Sequence, residues 1–176
     1  MIWITTDTHF GHDKLFEEFN SRPPDFSERI WRALQHTLQP DDTLIHLGDI
    51  CIGNDAEHHA HYIQSLECRS KILVKGNHDR KSNQWYLEHG WDFVCETFSD
   101  RYYGVKVLFS HVPIARTQYH DFCIHGHFHN TDHRKYEPYF TAIYDESYHK
   151  LLALETNDYK PWSLQHLLAG LSSSSS

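Results

Sequence analysis

Short apolar runs and longer amphipathic segments alternate along the first half of the chain. Three apolar runs have the length of buried strands: residues 2–6, 43–47 and 72–74. Three other segments are predicted to be helices: residues 27–38, 55–67 and 82–89. In the first of these helices, Ser27 is a candidate N-cap and Pro40 closes the segment. This alternation predicts a layered α/β domain.

The second half of the chain is richer in strand patterns. Four segments predict strands: the hairpin 102–109, which turns at Gly104, and residues 122–124, 139–144 and 150–154. Residues 163–169 predict a terminal helical turn or two. Two packed sheets with helices outside accommodate this order of elements.

The length and composition predict one globular domain over residues 1–171. Of the 176 residues, 39% are hydrophobic and 23% charged, which is ordinary for a soluble protein. Residues 172–176 form a serine tail, which we exclude from the fold as disordered or foreign to it. No apolar run reaches a membrane-spanning length and the N-terminus lacks signal-peptide features, so we expect a cytoplasmic protein without membrane contact.

The net charge and the histidine content reduce the range of possible functions. The formal charge of −8 argues against a dedicated nucleic-acid binder, which usually has a basic face. The 17 histidines hint at metal chemistry, whereas the four cysteines are scattered and include no C-x-x-C pair. We therefore expect neither a structural zinc ribbon nor a redox motif.

Five short polar clusters each follow an apolar strand candidate. They are Asp7-Thr8-His9, Gly48-Asp49, Gly76-Asn77-His78-Asp79, Ser110-His111 and Gly126-His127-Phe128-His129. In an α/β domain, residues at the carboxyl ends of neighbouring strands converge on one crevice. The sequence therefore predicts that the five clusters meet at one site.

The residue types and spacing of these clusters favour metal binding. In extended backbone, residues two apart point to the same side, so Asp7 and His9 can share one ion. His127 and His129 can likewise point together, either at one ion or at two adjacent ions. A carboxylate such as Asp49 can bridge two cations. Mixed carboxylate, amide and imidazole ligands suit two divalent ions, Mn²⁺ in preference, with Fe or Zn²⁺ as alternatives. With two carboxylates the site stays positive, which suits a phosphate ester.

Taken together and in this order, the clusters resemble the signature of the calcineurin-like metallophosphoesterases. The opening Asp-Thr-His-Phe-Gly-His is similar to small bacterial and phage-type members. The resemblance implies a four-layer α-β-β-α sandwich, in which two mixed β-sheets are flanked by helices. It also implies a dinuclear centre whose bridging hydroxide attacks phosphorus.

The resemblance also assigns roles to individual residues. It implies a first metal held by Asp7, His9, Asp49 and His129. It implies a second metal held by Asp49, Asn77, His111 and His127. His78 would bind no metal and would act at the leaving oxygen, with Asp79 holding its imidazole in place.

Four further residues are candidates for supporting roles. His12, Arg80 and Arg116 are tentative substrate-phosphate contacts, although His12 is as well explained as a loop histidine and Arg80 as a solvated side chain. Strand alternation could place His125 among the ligands, but the family does not use this position. We expect His125 behind the ligands instead.

Three functions are compatible with these residues. The preferred hypothesis is a phosphodiesterase acting on a small or nucleotide-like phosphoester. The alternatives are a phosphomonoesterase using the same site and a catalytically silent scaffold with this fold. The sequence leaves the natural substrate and the oligomeric state open.

Overall fold

Nine strands form two sheets in the computed structural model, which describes residues 1–17, 22–131 and 133–173. The first sheet has the order β4-β3-β2-β1-β9. Its strands are β1 (Ile2–Thr5), β2 (Thr43–His46), β3 (Ser70–Val74), β4 (Phe93–Cys95) and β9 (Trp162–Ser163). The first four are parallel, and β9 runs antiparallel to β1. This sheet is therefore mixed.

The second sheet has the order β5-β6-β7-β8. Its strands are β5 (Thr97–Tyr102), β6 (Val105–Ser110), β7 (Phe122–His125) and β8 (His149–Leu151). β5 and β6 form an antiparallel hairpin that turns at Gly104 as expected, although β5 begins at Thr97, before the predicted segment 102–109. β7 and β8 run parallel to β6. The second sheet is also mixed.

Short helices connect the strands of both sheets. In chain order they are α1 (Lys14–Glu17), α2 (Phe26–Thr37), α3 (Asp55–His58), α4 (Asn83–Glu88), α5 (Pro138–Ile143) and α6 (Leu164–Ser173). A π-helical turn at His59–Ile63 continues α3. Two 3₁₀ turns lie at His133–Tyr136 and Leu154–Thr156.

Alternating side chains build a core on both faces of the first sheet. Ile45 of β2 packs between the sheets, where it belongs to one buried cluster with Val107 and Phe109 of β6. Its neighbour Leu44 points the other way and packs in the cluster that contains Ile30 and Leu34 of α2. The inter-sheet core thus fixes how the two sets of strand ends face each other.

A small cluster of side chains, separate from the core between the sheets, covers the outer face of the second sheet. Leu108 and Cys123 pack there with Tyr148, and Tyr144 at the end of α5 stacks on His149 of β8. The predicted fold class, two mixed sheets flanked by helices, is therefore confirmed.

Several local predictions differ from the structure. Residues 139–144 lie largely in helix α5, because Pro138 opens a helix at its first turn. Ser27 lies inside α2, whose N-cap position is Asp25. Helix α6 includes the first two serines of the predicted tail, and residues 174–176 lie outside the described residues.

Strands β4 and β9, of three and two residues, were not predicted. Within the described ranges, no helix is both long and apolar enough to cross a membrane.

Candidate metal centre

The five sequence clusters meet at the ends of strands from both sheets. Asp7, Asp49 and Asn77 follow β1, β2 and β3 of the first sheet, whereas His111 and His127 follow β6 and β7 of the second. Backbone hydrogen bonds join neighbouring loops, such as Asp7 N–H to the Gly48 carbonyl at 2.9 Å. The predicted convergence of strand ends is thus what brings these side chains together.

One group of ligand atoms is formed by Asp7, His9 and His129. Oδ1 of Asp7 lies 3.8 Å from Nε2 of His9 and 3.9 Å from Nε2 of His129. This oxygen is buried and has no hydrogen-bond partner among the described residues. The other oxygen, Oδ2, accepts hydrogen bonds from the Thr6 hydroxyl and the His127 backbone N–H. A buried carboxylate oxygen without a donor is what a cation would satisfy.

A second group is formed by Asp49, His111 and His127. Nε2 of His111 lies 3.4 Å from Oδ2 of Asp49 and 3.1 Å from Nδ1 of His127. Oδ1 of Asn77 lies 3.0 Å from the same His111 nitrogen. Four ligand atoms of three chemical kinds therefore face one small volume.

Asp49 stands between the two groups. Its Oδ2 is 3.6 Å from Nε2 of His9 and 3.4 Å from Nε2 of His111, so one oxygen faces both groups. Its Oδ1 is occupied by the backbone N–H of His78, at 2.9 Å. The geometry therefore suits a carboxylate that shares a single oxygen between two ions.

The loops that carry these side chains adopt uncommon backbone conformations. Five candidate ligands have positive φ: Asp7 (49°), His9 (47°), Asp49 (58°), His127 (68°) and His129 (52°). Such values are rare for residues other than glycine and cluster at functional sites. The spacing argument assumed extended backbone, but the loops themselves are not extended: Asp7 and His9 lie in one group of ligand atoms, whereas His127 and His129 lie in different groups.

Two glycines let the backbone approach the carboxylates. A Cβ atom on Gly76 would lie 2.2 Å from Oδ1 of Asp49, and one on Gly126 would lie 2.2 Å from Oδ2 of Asp7. Both distances are far inside van der Waals contact. The glycines that open the third and fifth clusters are thus required by packing around the candidate ligands.

The electrostatics of the centre favour positive charge. Burial alone would raise the pKa of Asp49, but the adjacent His111 and His9 hold that pKa below its usual value. Burial would lower the pKa of His111, yet Asp49 and Asp7 raise it to about 9. The carboxylates thus stabilise a cation at this position, and a divalent ion would compete there with the proton.

Asp79 has a different partner from the one expected. Its Oδ2 accepts hydrogen bonds from the backbone N–H groups of Asp49 (2.7 Å) and Gly76 (2.8 Å), and its Oδ1 accepts one from Ile50 (3.1 Å). Both oxygens are therefore engaged with the backbone rather than with the His78 ring. Asp79 ties the second cluster to the third and so fixes the position of Asp49.

Sequence reasoning missed the side chains that orient His129. Its Nδ1 donates a hydrogen bond to Oε1 of Glu155 at 3.0 Å, which leaves Nε2 facing Asp7. The buried Arg22 holds the same oxygen from Nε at 2.8 Å and reaches the Thr8 carbonyl at 3.1 Å. Burial would raise the pKa of Glu155, but His129 and Arg22 lower it to about 2.

His111 is oriented in the same manner by the backbone. Its Nδ1 donates to the Leu47 carbonyl at 2.8 Å, so in the neutral ring that would bind a metal the lone pair lies on Nε2, which faces Asp49 and Asn77. For Glu155, the hydrogen-bond partner of His129, the only signal in the sequence is its position directly after the apolar run 151–154.

The tentative substrate contacts fall in three different places. His12 lies beside His9, with ring centroids 5.4 Å apart, and its Nδ1 is buried without a hydrogen-bond partner in the described part of the chain. Arg80 is exposed next to His78. Arg116 instead bonds Asp145 at 2.9 Å, an interaction that accounts for its position.

His125 lies behind the candidate ligands, as expected, but supports the backbone rather than a ligand side chain. Its Nδ1 donates to the Gly126 carbonyl at 2.9 Å, and its ring packs edge-on against Phe128 and Tyr144. Burial lowers its pKa to about 3, so His125 stays neutral.

The described residues fit two divalent ions. The orphaned oxygen of Asp7, the shared oxygen of Asp49 and the inward imidazole nitrogens form two adjoining donor sets. Two mixed sheets that present such donors at their shared edge define an α/β metalloprotein with a candidate two-metal centre.

Comparison with known proteins identifies the family. A family model described as calcineurin-like phosphoesterase matches residues 1–174. The chain therefore belongs to the calcineurin-like phosphoesterases, a family that uses divalent metal ions. None of the curated proteins compared with the chain matches it.

Two solved structures illustrate the similarity. A protein of unknown function from Aquifex aeolicus is 28% identical with a TM-score of 0.74, and the match covers 96% of this chain and 98% of that chain. An archaeal protein described as a novel phosphodiesterase is 19% identical with a TM-score of 0.39, covering 71% of each chain. The second likeness is too distant to inform the function of this chain.

Replacing Asp49 tests the shared carboxylate oxygen. In Asp49→Asn, we expect both ions to be weakened, because the charge common to both donor sets is removed. Metal content measured after dialysis should fall from near two ions per chain to well below one. The exposed Asp158→Asn is the matched control, and loss of a single ion would contradict the shared position.

Replacing Glu155 tests the orientation of His129. Glu155→Gln keeps the shape but removes the charge, so metal affinity in a chelator competition should fall by about 10–100-fold. Because the buried Arg22 then loses its partner, thermal unfolding is followed in parallel. The exposed Glu146→Gln should bind metal as the wild type does. Unchanged affinity in Glu155→Gln would show that this contact does not support metal binding.

Proposed function

We propose that the protein hydrolyses phosphodiesters of small or nucleotide-like alcohols at a dinuclear metal centre. The candidate ligands are Asp7, His9, Asp49, Asn77, His111, His127 and His129. The observation that carries the preference for diesters is a pair of clefts: His78 lines one of them, and its neighbour Asn77 lines the other together with His111.

The larger cleft has a volume of about 780 Å³ and is called the His78 cleft. It is lined by residues 51–57 with His78, Arg80, Lys81 and Trp85. The smaller cleft has a volume of about 310 Å³ and is called the His111 cleft. It is lined by residues 75–77, 96–97 and 110–112 with Ile114.

Two clefts match the shape of a diester better than that of a monoester. A phosphodiester carries two organic substituents, whereas a phosphomonoester carries one and presents its remaining oxygens to metals. With phosphorus at the centre, each substituent has a cleft of its own. The volume of the larger cleft lies within the range that is usual for small-ligand sites. The volume of the smaller cleft lies at the lower end of that range.

Two bound divalent ions would supply the attacking hydroxide and neutralise charge growing on the phosphoryl oxygens. The chain's own residues then orient the ester and manage the proton of the leaving group. The buried carboxylates Asp7 and Asp49 cancel part of the ionic charge, which leaves the site attractive to an anionic ester.

The exposure and position of His78 support a role at the leaving oxygen. Its side chain is 33% exposed, in contrast to the deeply buried Asp49, and its Nε2 lies 3.9 Å from Oδ2 of Asp49. Its ring stands edge-on to His9 with centroids 5.5 Å apart. An imidazole beside the centre that belongs to neither donor set can donate a proton as the ester bond breaks.

The alternatives use the same residues. A phosphomonoesterase would need the centre and His78 but not a second cleft. A silent scaffold would have no need for seven candidate ligands and an imidazole such as His78 beside them. The preference for manganese and the cytoplasmic location stay predictions.

A substrate panel distinguishes diester from monoester hydrolysis. With Mn²⁺ present, we expect bis(4-nitrophenyl) phosphate to be hydrolysed with a higher kcat/KM than 4-nitrophenyl phosphate. The readout is release of nitrophenolate, which is common to both substrates. Equal or faster monoester turnover would favour the phosphomonoesterase, and no turnover with two bound metals would favour the scaffold.

Removal of the His78 imidazole tests its role as a proton donor. His78→Ala should retain close to two metals per chain and lose about 10²–10⁴-fold in kcat. The exposed His36→Ala on α2 is the matched control and should retain full turnover. Loss of metal in His78→Ala would identify His78 as a ligand instead.

A further inference from the structure

We propose that the His78 cleft is a subsite for a leaving alcohol that carries a second phosphate, recognised by Arg80 and Lys81. This inference rests on the proposed diesterase function and specifies its substrate class. The observation behind it is that the imidazole proposed to protonate the leaving oxygen also forms part of the cleft wall.

The position of His78 decides which substituent enters this cleft. A proton donor must lie within reach of the oxygen it protonates, so the leaving alcohol departs on the His78 side. The His111 cleft, lined by Asn77 and His111 instead, is then left for the substituent that stays on phosphorus. At about 780 Å³, the His78 cleft has room for a sugar phosphate or a nucleotide.

Two cations, Arg80 and Lys81, and two carboxylates, Asp55 and Glu57, line the cleft. Lys81 lies 3.5 Å from Asp55, so these two charges largely offset each other. Arg80 is exposed and makes no ion pair within the described residues. A planar guanidinium can bind two phosphate oxygens at once, which makes Arg80 the principal contact for a second phosphate.

The remaining side chains of the cleft favour a polar ligand over a stacked base. One face of the Trp85 ring is stacked on His89 with centroids 3.8 Å apart, and the Lys81 ammonium lies 5.7 Å from the same ring. Trp85 is therefore a wall of the cleft rather than a stacking platform. The exposed carboxylate of Glu57 is suited to accept hydrogen bonds from sugar hydroxyls.

The reaction at this subsite is a simple hydrolysis. Water adds its oxygen to phosphorus, and the bond from phosphorus to the leaving oxygen breaks. His78 gives its proton to that oxygen and regains one from solvent. The products are a phosphomonoester in the His111 cleft and, in the His78 cleft, an alcohol that retains its own phosphate.

A pair of chromogenic diesters tests the subsite. In both esters only the nitrophenyl group can act as the leaving group. The first is methyl 4-nitrophenyl phosphate, from which the phenolate leaves. The second is the same ester with a phosphonomethyl group on the nitrophenyl ring, a stand-in for the second phosphate that cannot be hydrolysed. Both are assayed with the Mn²⁺-loaded wild type, Arg80→Gln and the control Arg32→Gln, which removes an exposed charge on α2.

We expect the wild type and Arg32→Gln to favour the phosphonate ester in kcat/KM by about tenfold, as one charge-assisted contact supplies. Arg80→Gln should lose that preference, which is measured as the ratio of the two kcat/KM values within each protein, because only the phosphonate ester makes the contact that the substitution removes. Equal rates for both esters in the wild type, or equal losses on both in Arg80→Gln, would overturn the proposal.

A binding measurement separates this inference from the proposed activity. Calorimetry of the phosphonomethyl nitrophenol, the product of the second ester, requires no turnover. We expect Arg80→Gln to bind it about tenfold more weakly than the wild type. If no diester is hydrolysed but this difference persists, the diesterase proposal fails and the anion site stands. Equal affinity for both proteins would refute the anion site.

Discussion

The geometry of the centre depends on one carboxylate held between two imidazoles from different sheets. Asp49 follows a strand of the first sheet, whereas His111, 3.4 Å from its Oδ2, follows a strand of the second. His9 lies 3.6 Å from the same oxygen on the other side. The separation of the sheets, set by the core around Ile45 and Phe109, therefore controls the spacing of the two donor sets. A change in inter-sheet packing would alter that spacing without touching a candidate ligand.

The position of Asp49 is itself maintained by backbone hydrogen bonds. Asp79 accepts from the N–H groups of Asp49, Ile50 and Gly76, and His78 N–H binds Oδ1 of Asp49. These bonds offset the strain of the left-handed backbone at Asp49 and leave only Oδ2 for the centre. The third cluster thus has two tasks: Asn77 and His78 face the site, whereas Gly76 and Asp79 hold the second cluster in place.

The candidate ligands were predictable because each follows an apolar strand, and strand ends converge in this class of fold. The roles of Glu155 and Arg22 in orienting His129 could not be predicted, because these two residues lie 133 positions apart in the sequence and no local pattern indicates their contact. The resemblance implied that Asp79 holds the His78 imidazole, whereas both of its oxygens accept hydrogen bonds from backbone N–H groups, which no sequence pattern reports. The helix at α5 was missed because its aromatic residues resemble a strand until Pro138 is considered as a helix start.

Burial divides the site into two parts with different chemical tasks. Asp7, His9, Asp49 and His111 are nearly inaccessible to water, which strengthens their electrostatic hold on cations. His78 and Arg80 are accessible and face the larger cleft, so they meet the organic part of a substrate. Because Arg80 is exposed and no hydrogen bond or ion pair joins its side chain to a candidate ligand among the described residues, substitutions there should change substrate preference without disturbing those ligands. His78 connects the two parts, since its backbone holds Asp49 while its imidazole faces the cleft.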